Sequence, residues 1–360
     1  MTRKGKKKKP GIRIFVTFLL MAVIAALIYK SIITPGNHLI SEEKYGDETS
    51  SYSLLKTISD SYYDDRTTTV PTSKTEPNPS GDKTTPVPPA KIKTDPSVSI
   101  SSDKLNSPDA ILIRLKDHTI LMQKNSEEKI YPASLTKIMT AIVAIENLPD
   151  LKEKIKLANS TFQGLYEANA SMAGFQPGEQ VRAIDLLYGV MLPSGAECCI
   201  GLADRIAGSE QNFVKIMNKE AADIGMDNTH FKNSTGLHDE DHYTTVKDLA
   251  ILLSYALQND TFREIFTSSR HSTQPTNKHP DGITFYSTIF EKLSDPSIKG
   301  REILGGKTGY TDEAGLCLAS LAKEGKQEYI LVTAGARGNH QSEQYNITDA
   351  LAVYNSLRKE

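Results

Sequence analysis

The spacing of apolar residues divides the chain into three parts. Residues 14–29 (IFVTFLLMAVIAALIY) form one uncharged apolar run, which follows a head, residues 1–13, with seven Lys and Arg. A membrane-spanning helix needs about 20 apolar residues, and the isoleucines after the run extend it to residue 33. We therefore predict a transmembrane anchor over residues 14–33, with the basic head in the cytoplasm and everything that follows outside it. A cleaved signal peptide, which would make the protein secreted, is the alternative, although no clear small-x-small cleavage site follows the run.

Polar residues dominate the second part, residues 34–104. Ser, Thr, Pro, Asp and Lys make up most of stretches such as TTTVPTSKTEPNPSGDKTTPVPPAK. Such a composition cannot bury enough apolar surface to offset the entropy that is lost on ordering the chain. We predict a disordered spacer, which its prolines extend in part.

In the third part, residues 105–360, apolar residues recur with the periods of strands and helices. Alternating stretches predict two strands within residues 110–125 and three more at residues 303–310, 315–324 and 327–336. Helical spacing is found at residues 134–147, 183–192, 209–225, 244–257 and 347–360. Strands at both ends with helices between them indicate one α+β domain, in which an antiparallel sheet packs against helices and a helical lobe.

Charge and cysteine usage narrow the function classes. Taking the seven positive charges of residues 1–13 from the net charge of −2 leaves −9 for the remainder. A nucleic-acid-binding protein would concentrate positive charge on its folded part, so we expect no nucleic-acid partner. The three cysteines, Cys198, Cys199 and Cys317, do not have the spacing of a zinc site or of a disulfide framework, and we expect small buried side chains.

A serine and a lysine three residues apart begin the most apolar helical segment, YPASLTKIMTAIVAIE (131–146). If the helix starts near Ser134, residues i and i+3 share a face, so Ser134 and Lys137 meet. Serine needs a nearby base to act as a nucleophile, and burial lowers the pKa of a lysine toward neutrality, especially beside a second cation. The alternative is a capped helix start followed by a chance lysine, because this spacing alone is a weak signal.

Two further stretches favour the interpretation of Ser134 as a nucleophile and Lys137 as its base. MLPSGAECC places Ser194 in a loop between two helices, and GGKTGYT places Lys307, Thr308 and Gly309 in a predicted strand. An S-x-x-K motif, a serine loop and a K-T-G motif occur in this order in penicillin-binding proteins and β-lactamases. Together with YPASLTKIMTA, NSTGLHDEDHYTTVKDLA and GGKTGYTDEAGLCLA, they make the chain from about residue 105 resemble the low-molecular-weight penicillin-binding proteins that are serine-type D-Ala-D-Ala carboxypeptidases.

The resemblance implies a β-lactamase/transpeptidase-like fold, with the active site between the sheet and the helical lobe. Ser134 resembles the acylated nucleophile of the family, and Lys137 resembles the residue that takes its proton. Ser194 resembles the loop serine that helps to pass a proton to the leaving amine. The implied function is removal of the terminal D-Ala of peptidoglycan stem peptides through an acyl-enzyme on Ser134, which leaves fewer donor stems for cross-linking and so affects the cell wall and cell shape.

The same resemblance assigns the binding residues. Lys307 and Thr308 resemble the pair that receives the terminal carboxylate of the peptide, since a fixed cation and a hydroxyl bind it by charge-assisted hydrogen bonds. Gly309 resembles the glycine that lets the substrate approach the strand, and the backbone amides of Ser134 and Tyr310 would form the oxyanion hole. The family also implies β-lactams as covalent inhibitors, and neither a cofactor nor a metal.

One triplet departs from the family pattern. The loop usually reads Ser-x-Asn, whereas this chain has Ser194, Gly195 and Ala196. Alanine can neither orient the lysine nor hydrogen-bond the substrate, so either a neighbour such as Glu197 substitutes or turnover is slower. A catalytically weak sensor or scaffold that binds penicillin or peptidoglycan is therefore an alternative function.

Two other enzyme classes are weaker alternatives. The best-known β-lactamases deacylate with a glutamate that has an asparagine four positions on, and no glutamate from Glu197 to Glu302 has one. A zinc peptidase is suggested only by HDEDH (238–242), whose histidines could share a metal if helical. That segment is polar and follows Gly236, so we predict a loop, and an HExxH motif would need glutamate in place of Asp239.

Overall fold

The structure, a computed structural model, describes residues 101–293 and 301–357, together with the backbone of Lys93–Thr94 and Ser297–Ile298. The predicted basic head, the predicted anchor and nearly all of the predicted spacer lie outside the described residues. Among the helices that the structure describes, none has the length and apolar character needed to cross a membrane.

A seven-stranded sheet joins the two ends of the described fold. From one edge to the other its strands are β1 (Lys93–Thr94), β3 (Thr119–Lys124), β2 (Asp109–Arg114), β11 (Gln327–Ala336), β10 (Gly315–Glu324), β9 (Arg301–Thr311) and β8 (Ser297–Ile298). Strands β2 and β11 pair antiparallel, with Ile113 opposite Ile330. The prediction of an antiparallel sheet built from both ends of the domain is thus confirmed, while the short β1 lies parallel to β3. Two further antiparallel sheets of two strands each pair β4 (Lys154–Lys156) with β5 (Gln180–Arg182), and β6 (Arg270–Ser272) with β7 (Thr284–Tyr286).

Both faces of the sheet are covered, and strand β2 shows the consequence for the sequence. Ile111 and Ile113 belong to the core that the sheet shares with the helical lobe, whereas Ala110 and Leu112 belong to a second core on the other face. Successive side chains of a strand point to opposite faces. A strand that is covered on both faces therefore has apolar residues at successive positions.

The helices of the described residues lie between and beyond the strands. They are α1 (Thr136–Asn147), α2 (Ala183–Met191), α3 (Ala196–Ala207), α4 (Glu210–Asp223), α5 (Val246–Ala256), α6 (Asp260–Thr267), α7 (Thr288–Lys292) and α8 (Tyr345–Ser356). Helix α1 is buried along Thr136–Ala144, as its apolar sequence predicts. Helices α4 and α5 begin after Ser209 and Thr245, whose hydroxyls accept hydrogen bonds from amides three residues on and so cap the helices.

The C-terminal helix differs from its prediction at both ends. Helix α8 begins at Tyr345, two residues before the predicted start, and ends at Ser356, before the predicted end at residue 360. Asp349 is buried in its second turn, where its carboxylate accepts hydrogen bonds from the amides of Asn106 and Ser107. This contact ties the beginning of the domain to its last helix. The sequence analysis did not predict α6, α7 or the β4–β5 and β6–β7 pairs.

Candidate active site

Ser134 lies in a short 3₁₀ turn, Ala133–Leu135, between the sheet and the helical lobe. Ala133 has a φ of +45°, which is uncommon for a residue with a side chain. Because of this turn, the regular helix begins only at Thr136, two residues after the predicted start. Ser134 and Lys137 nevertheless meet across the junction, as their spacing predicts.

Two glycines allow neighbouring segments to approach this turn. A Cβ atom at Gly236 would lie 1.9 Å from the Ala133 carbonyl oxygen, and one at Gly309 would lie 3.1 Å from the Ser134 nitrogen. Gly236 also has a φ of +81°, which favours glycine. The K-T-G strand and the segment that contains Gly236 therefore both press directly against the backbone of Ser134.

The two serines and the lysine form one hydrogen-bonded chain. The Lys137 Nζ lies 3.1 Å from the Ser134 Oγ, and the Ser194 Oγ donates a hydrogen bond of 3.0 Å to the same oxygen. Lys137 is 2% exposed, and this burial lowers the pKa of its amine below the usual value. A lysine with a lowered pKa, held beside a serine hydroxyl, has what a general base needs.

A backbone carbonyl that the sequence analysis missed orients this lysine. The Lys137 Nζ donates a hydrogen bond of 2.5 Å to the carbonyl oxygen of Thr235. The Asn233 side chain holds the segment in place, because its Oδ1 accepts hydrogen bonds from the amides of Thr235 and Gly236. The signal was present in NSTG (233–236), but a backbone acceptor leaves no side-chain signature.

Glu197 does not replace the missing asparagine as a ligand of the lysine. Its Oε1 accepts hydrogen bonds from the amides of Ala173, Gly174 and Phe175, at 2.7, 2.9 and 3.3 Å. Burial raises the pKa of this carboxyl, and the three amides oppose that rise. Glu197 thus holds the 173–175 loop beside the site, while the Thr235 carbonyl orients Lys137.

Strand β9 places the K-T-G residues against the Ser134 turn. Lys307 is 0% exposed and its Nζ donates a hydrogen bond of 2.8 Å to the carbonyl oxygen of Thr308. Burial, and then the neighbouring Lys137, holds the pKa of Lys307 well below its usual range. The Thr308 hydroxyl faces the groove instead, within 2.7 Å of the Thr288 hydroxyl.

Two cavities, of about 370 and 350 Å³, form one groove and meet at Ser134. Ser171, Tyr310 and His340 line both of them. The larger cavity, which we call the acidic cavity, also contacts Gly236, His238, Asp312 and Glu313. The smaller one, which we call the Lys292 cavity, also contacts Ser194, Thr288, Lys292, Thr308 and Gln344.

The HDEDH segment forms a loop, as predicted, and it supports the nucleophile helix. His242 is 2% exposed, and its Nε2 lies 2.8 Å from the Oγ1 of Thr136, the first residue of α1. Burial lowers the pKa of His242 to about 4. In the part of the chain that the structure describes, no three His, Cys, Asp or Glu side chains are grouped to hold a metal ion.

In this site a buried lysine and a second serine both contact the hydroxyl of one serine, and a K-T-G strand faces them. This arrangement is typical of one class of enzymes, the penicillin-binding serine acyl-transferases. The sequence profile of the D-alanyl-D-alanine carboxypeptidase family matches residues 96–338, and the chain belongs to this family. The predicted family and the predicted β-lactamase/transpeptidase-like α+β fold are both confirmed.

Individual proteins agree with this assignment. The chain is 37% identical over 234 residues to the D-alanyl-D-alanine carboxypeptidase DacF of Bacillus subtilis, which covers 63% of this chain and 57% of DacF. It is 33% identical over 241 residues to DacC of Escherichia coli, covering 63% of this chain and 56% of that protein. The crystal structure of a Streptomyces DD-transpeptidase superposes with a TM-score of 0.63 at 27% identity, over 71% of this chain and 98% of the other. The chain thus spans a little more than half of the length of the two curated relatives.

Proposed function

We propose that this protein is a serine D-alanyl-D-alanine carboxypeptidase that removes the terminal D-alanine of peptidoglycan stem peptides. The observation that carries the proposal is the chain of contacts from Lys137 through Ser134 to Ser194, at 3.1 and 3.0 Å. Membership of the family supports it, and so does the activity for which DacF and DacC are named.

In the acylation step the Ser134 Oγ attacks the carbonyl carbon of the penultimate D-alanine. Its proton passes to the Lys137 Nζ, which accepts it because burial lowers the pKa of this amine. The negative charge that develops on the carbonyl oxygen is received by the backbone amides of Ser134 and Tyr310, and each such donor typically contributes about 3–4 kcal/mol.

The leaving group then departs as free D-alanine. The bond between the carbonyl carbon and the leaving nitrogen breaks, and the nitrogen takes a proton from the Lys137 ammonium by way of the Ser194 hydroxyl. An ester on Ser134 remains. A water molecule gives a proton to Lys137 and attacks this ester, and the proton returns to the Ser134 oxygen as the shortened peptide leaves. A β-lactam also forms an ester with the Ser134 oxygen. This ester hydrolyses slowly, which makes the β-lactam a covalent inhibitor.

Intact mass spectrometry of the full-length chain in detergent, with and without benzylpenicillin, tests the nucleophile. We expect the parent protein to gain one benzylpenicillin and Ser134→Ala to gain none, while both unfold at similar temperatures. Release of D-alanine from an acyl-D-Ala-D-Ala peptide then tests turnover. A well-folded parent that forms no adduct would refute the acyl-enzyme. An adduct without D-alanine release would favour the binding-only sensor that Ala196 suggests.

We also propose that a transmembrane anchor at residues 14–33 holds the enzyme outside the cytoplasm, at the end of a disordered spacer at residues 34–104. Support comes from the sequence: the uncharged apolar run, the basic residues before it and the polar residues after it. Protease added to intact spheroplasts should remove the peptidase domain and leave a short membrane-bound fragment. Recovery of the whole protein from the culture medium would instead establish a cleaved signal peptide.

A further inference from the structure

The Lys292 cavity has a cation that the K-T-G motif does not supply. Lys307 is fully buried, its amine donates a hydrogen bond to the carbonyl oxygen of Thr308, and it is not among the residues that line the cavity. Of the two K-T-G side chains, only Thr308 lines the cavity. A carboxylate that enters here can reach the Thr308 hydroxyl, but it does not contact the Lys307 ammonium directly.

Lys292 lines this same cavity from the end of helix α7. The helix begins at Thr288, whose hydroxyl lies 2.7 Å from that of Thr308, so α7 is fixed to the K-T-G strand at its first residue. The Lys292 Nζ donates a hydrogen bond of 2.7 Å to the Oε1 of Gln344. The Gln344 amide is itself held, since its Nε2 donates to the carbonyl oxygens of Asn339 and Ser342. Lys292 is thus an exposed ammonium that a neutral amide holds over the cavity.

The two cavities differ in the charge of the residues that line them. None of the described residues that line the Lys292 cavity is Asp or Glu, whereas Asp312 and Glu313 line the acidic cavity. Burial lowers the pKa of His340, which lines both cavities, and the charges of Lys292 and Lys307 lower it further. A peptide with a free terminal carboxylate is therefore attracted to the end that holds Lys292.

We infer that Lys292 is the specificity-determining residue that receives the terminal carboxylate of the leaving D-alanine, together with the Thr308 hydroxyl. The Gln344 amide is a neutral acceptor, and a carboxylate makes a stronger, charge-assisted bond with the ammonium. Lys307 stabilises the strand from within the protein, because its amine donates a hydrogen bond to the Thr308 carbonyl oxygen. This inference rests on the proposed function, because it assigns the carboxylate-binding residue of that reaction.

The test compares an acid with its neutral ester, using acylation of Ser134 as the readout because acylation does not require turnover. The rate of mass gain from benzylpenicillin and from benzylpenicillin methyl ester is measured for the full-length parent, Lys292→Gln, Lys292→Arg and Lys326→Gln. Lys326 is an exposed lysine in the β10–β11 turn, away from the groove, and serves as the matched control.

We expect Lys292→Gln to slow acylation by the acid about 10- to 100-fold, which is the range for losing a hydrogen bond to a charged group. The same variant should change acylation by the ester less than about twofold, whereas Lys292→Arg and the Lys326 control should stay near the parent rate with both compounds. Equal slowing of the acid and the ester would indicate a structural role and overturn the inference, as would unchanged acylation by the acid. A parent protein that neither compound acylates would instead refute the proposed function, and the inference with it.

Discussion

The two walls of the groove meet at Ser134 but are built in different ways. The lobe wall consists of the Ser134 turn, Lys137, Ser194 and the 233–237 segment, and hydrogen bonds link its side chains to one another and to the Thr235 carbonyl. The strand wall is β9, which presents its backbone, the Thr308 hydroxyl, Gly309 and Tyr310. Each wall contains one fully buried lysine, yet only Lys137 faces a hydroxyl that can react.

The comparison shows that the partner of a buried amine decides its role more than the burial does. Burial lowers the pKa of both Lys137 and Lys307. The Lys137 amine meets the Ser134 hydroxyl and, when unprotonated, can take its proton, whereas the Lys307 amine meets a carbonyl, which has no proton to give. In the proposed reaction, the lobe wall therefore carries the proton transfer, and the strand wall carries recognition.

The largest expected effect separates the two lysines. Lys137→Met removes the base and should slow acylation by benzylpenicillin about 1000-fold, within the range for loss of a general base. Lys307→Met keeps a long side chain in the same buried space and loses only the bond to the Thr308 carbonyl, so we expect slowing of about 10-fold. Stopped-flow acylation rates on folded protein provide the measurement. If both substitutions slowed acylation equally, the two walls would not differ in the way described.

The second prediction compares the glycines that press on the Ser134 turn. Gly236→Ala should lower both stability and acylation, because its Cβ would lie 1.9 Å from the Ala133 carbonyl at a φ of +81°. Gly309→Ala should mainly slow acylation, by about 10-fold, because its closest contact of 3.1 Å needs only a small shift of the Ser134 backbone. Thermal unfolding and acylation rates are measured for both variants.

Gly325→Ala is the matched control for this comparison. Gly325 also has a positive φ, +58°, but a Cβ atom there would meet nothing within 4 Å. We expect it to cost about 1 kcal/mol of stability and to leave acylation unchanged. A loss of activity in this control would mean that backbone strain alone, and not contact with the Ser134 turn, explains the result at Gly236. Gly309 does not have a positive φ, so its result would still report on contact with the turn.

The sequence predicted those features of the site that depend on residues close together in the chain, and it did not predict those that depend on contacts between distant segments. Ser134 and Lys137 were predictable because they lie one helical turn apart in an apolar segment, and Ser194 and the K-T-G residues were predictable because their motifs are contiguous. The Thr235 carbonyl was not, since it reaches Lys137 from 98 residues away and any residue type supplies the same atom. Lys292 was missed because its position beside the groove depends on contacts between distant segments, such as those of Thr288 with Thr308 and of Lys292 with Gln344.

The same distinction between local sequence patterns and contacts between distant segments applies to the fold. The strands β2, β3, β10 and β11 were predicted nearly residue for residue, because each has an unbroken run of apolar positions between turns. The start of α1 was predicted two residues early, since no sequence pattern signals the left-handed conformation of Ala133. The role of Glu197 depended on a loop more than 20 residues earlier in the chain, whose amides bind its carboxylate only after folding.

The last prediction concerns the stability of the lobe wall in acid, where no change in acylation at neutral pH is expected. His242 has a pKa of about 4 in the folded protein, below the value of about 6.5 in an unfolded chain, so unfolding takes up a proton between these pH values. Its contribution to stability is complete above pH 6.5 and is lost as the pH falls toward 4, on the order of 3 kcal/mol in total.

Because His242 contacts Thr136 at the start of α1, acid should weaken hydrogen-exchange protection in α1 before it does so in β9. His242→Gln should reduce this acid-dependent loss, measured as the free energy of unfolding in urea from pH 7.5 to pH 4.5, while His118→Gln, in the turn between β2 and β3, should leave it in place. An unchanged pH dependence in His242→Gln would show that other groups set the acid response of the lobe wall.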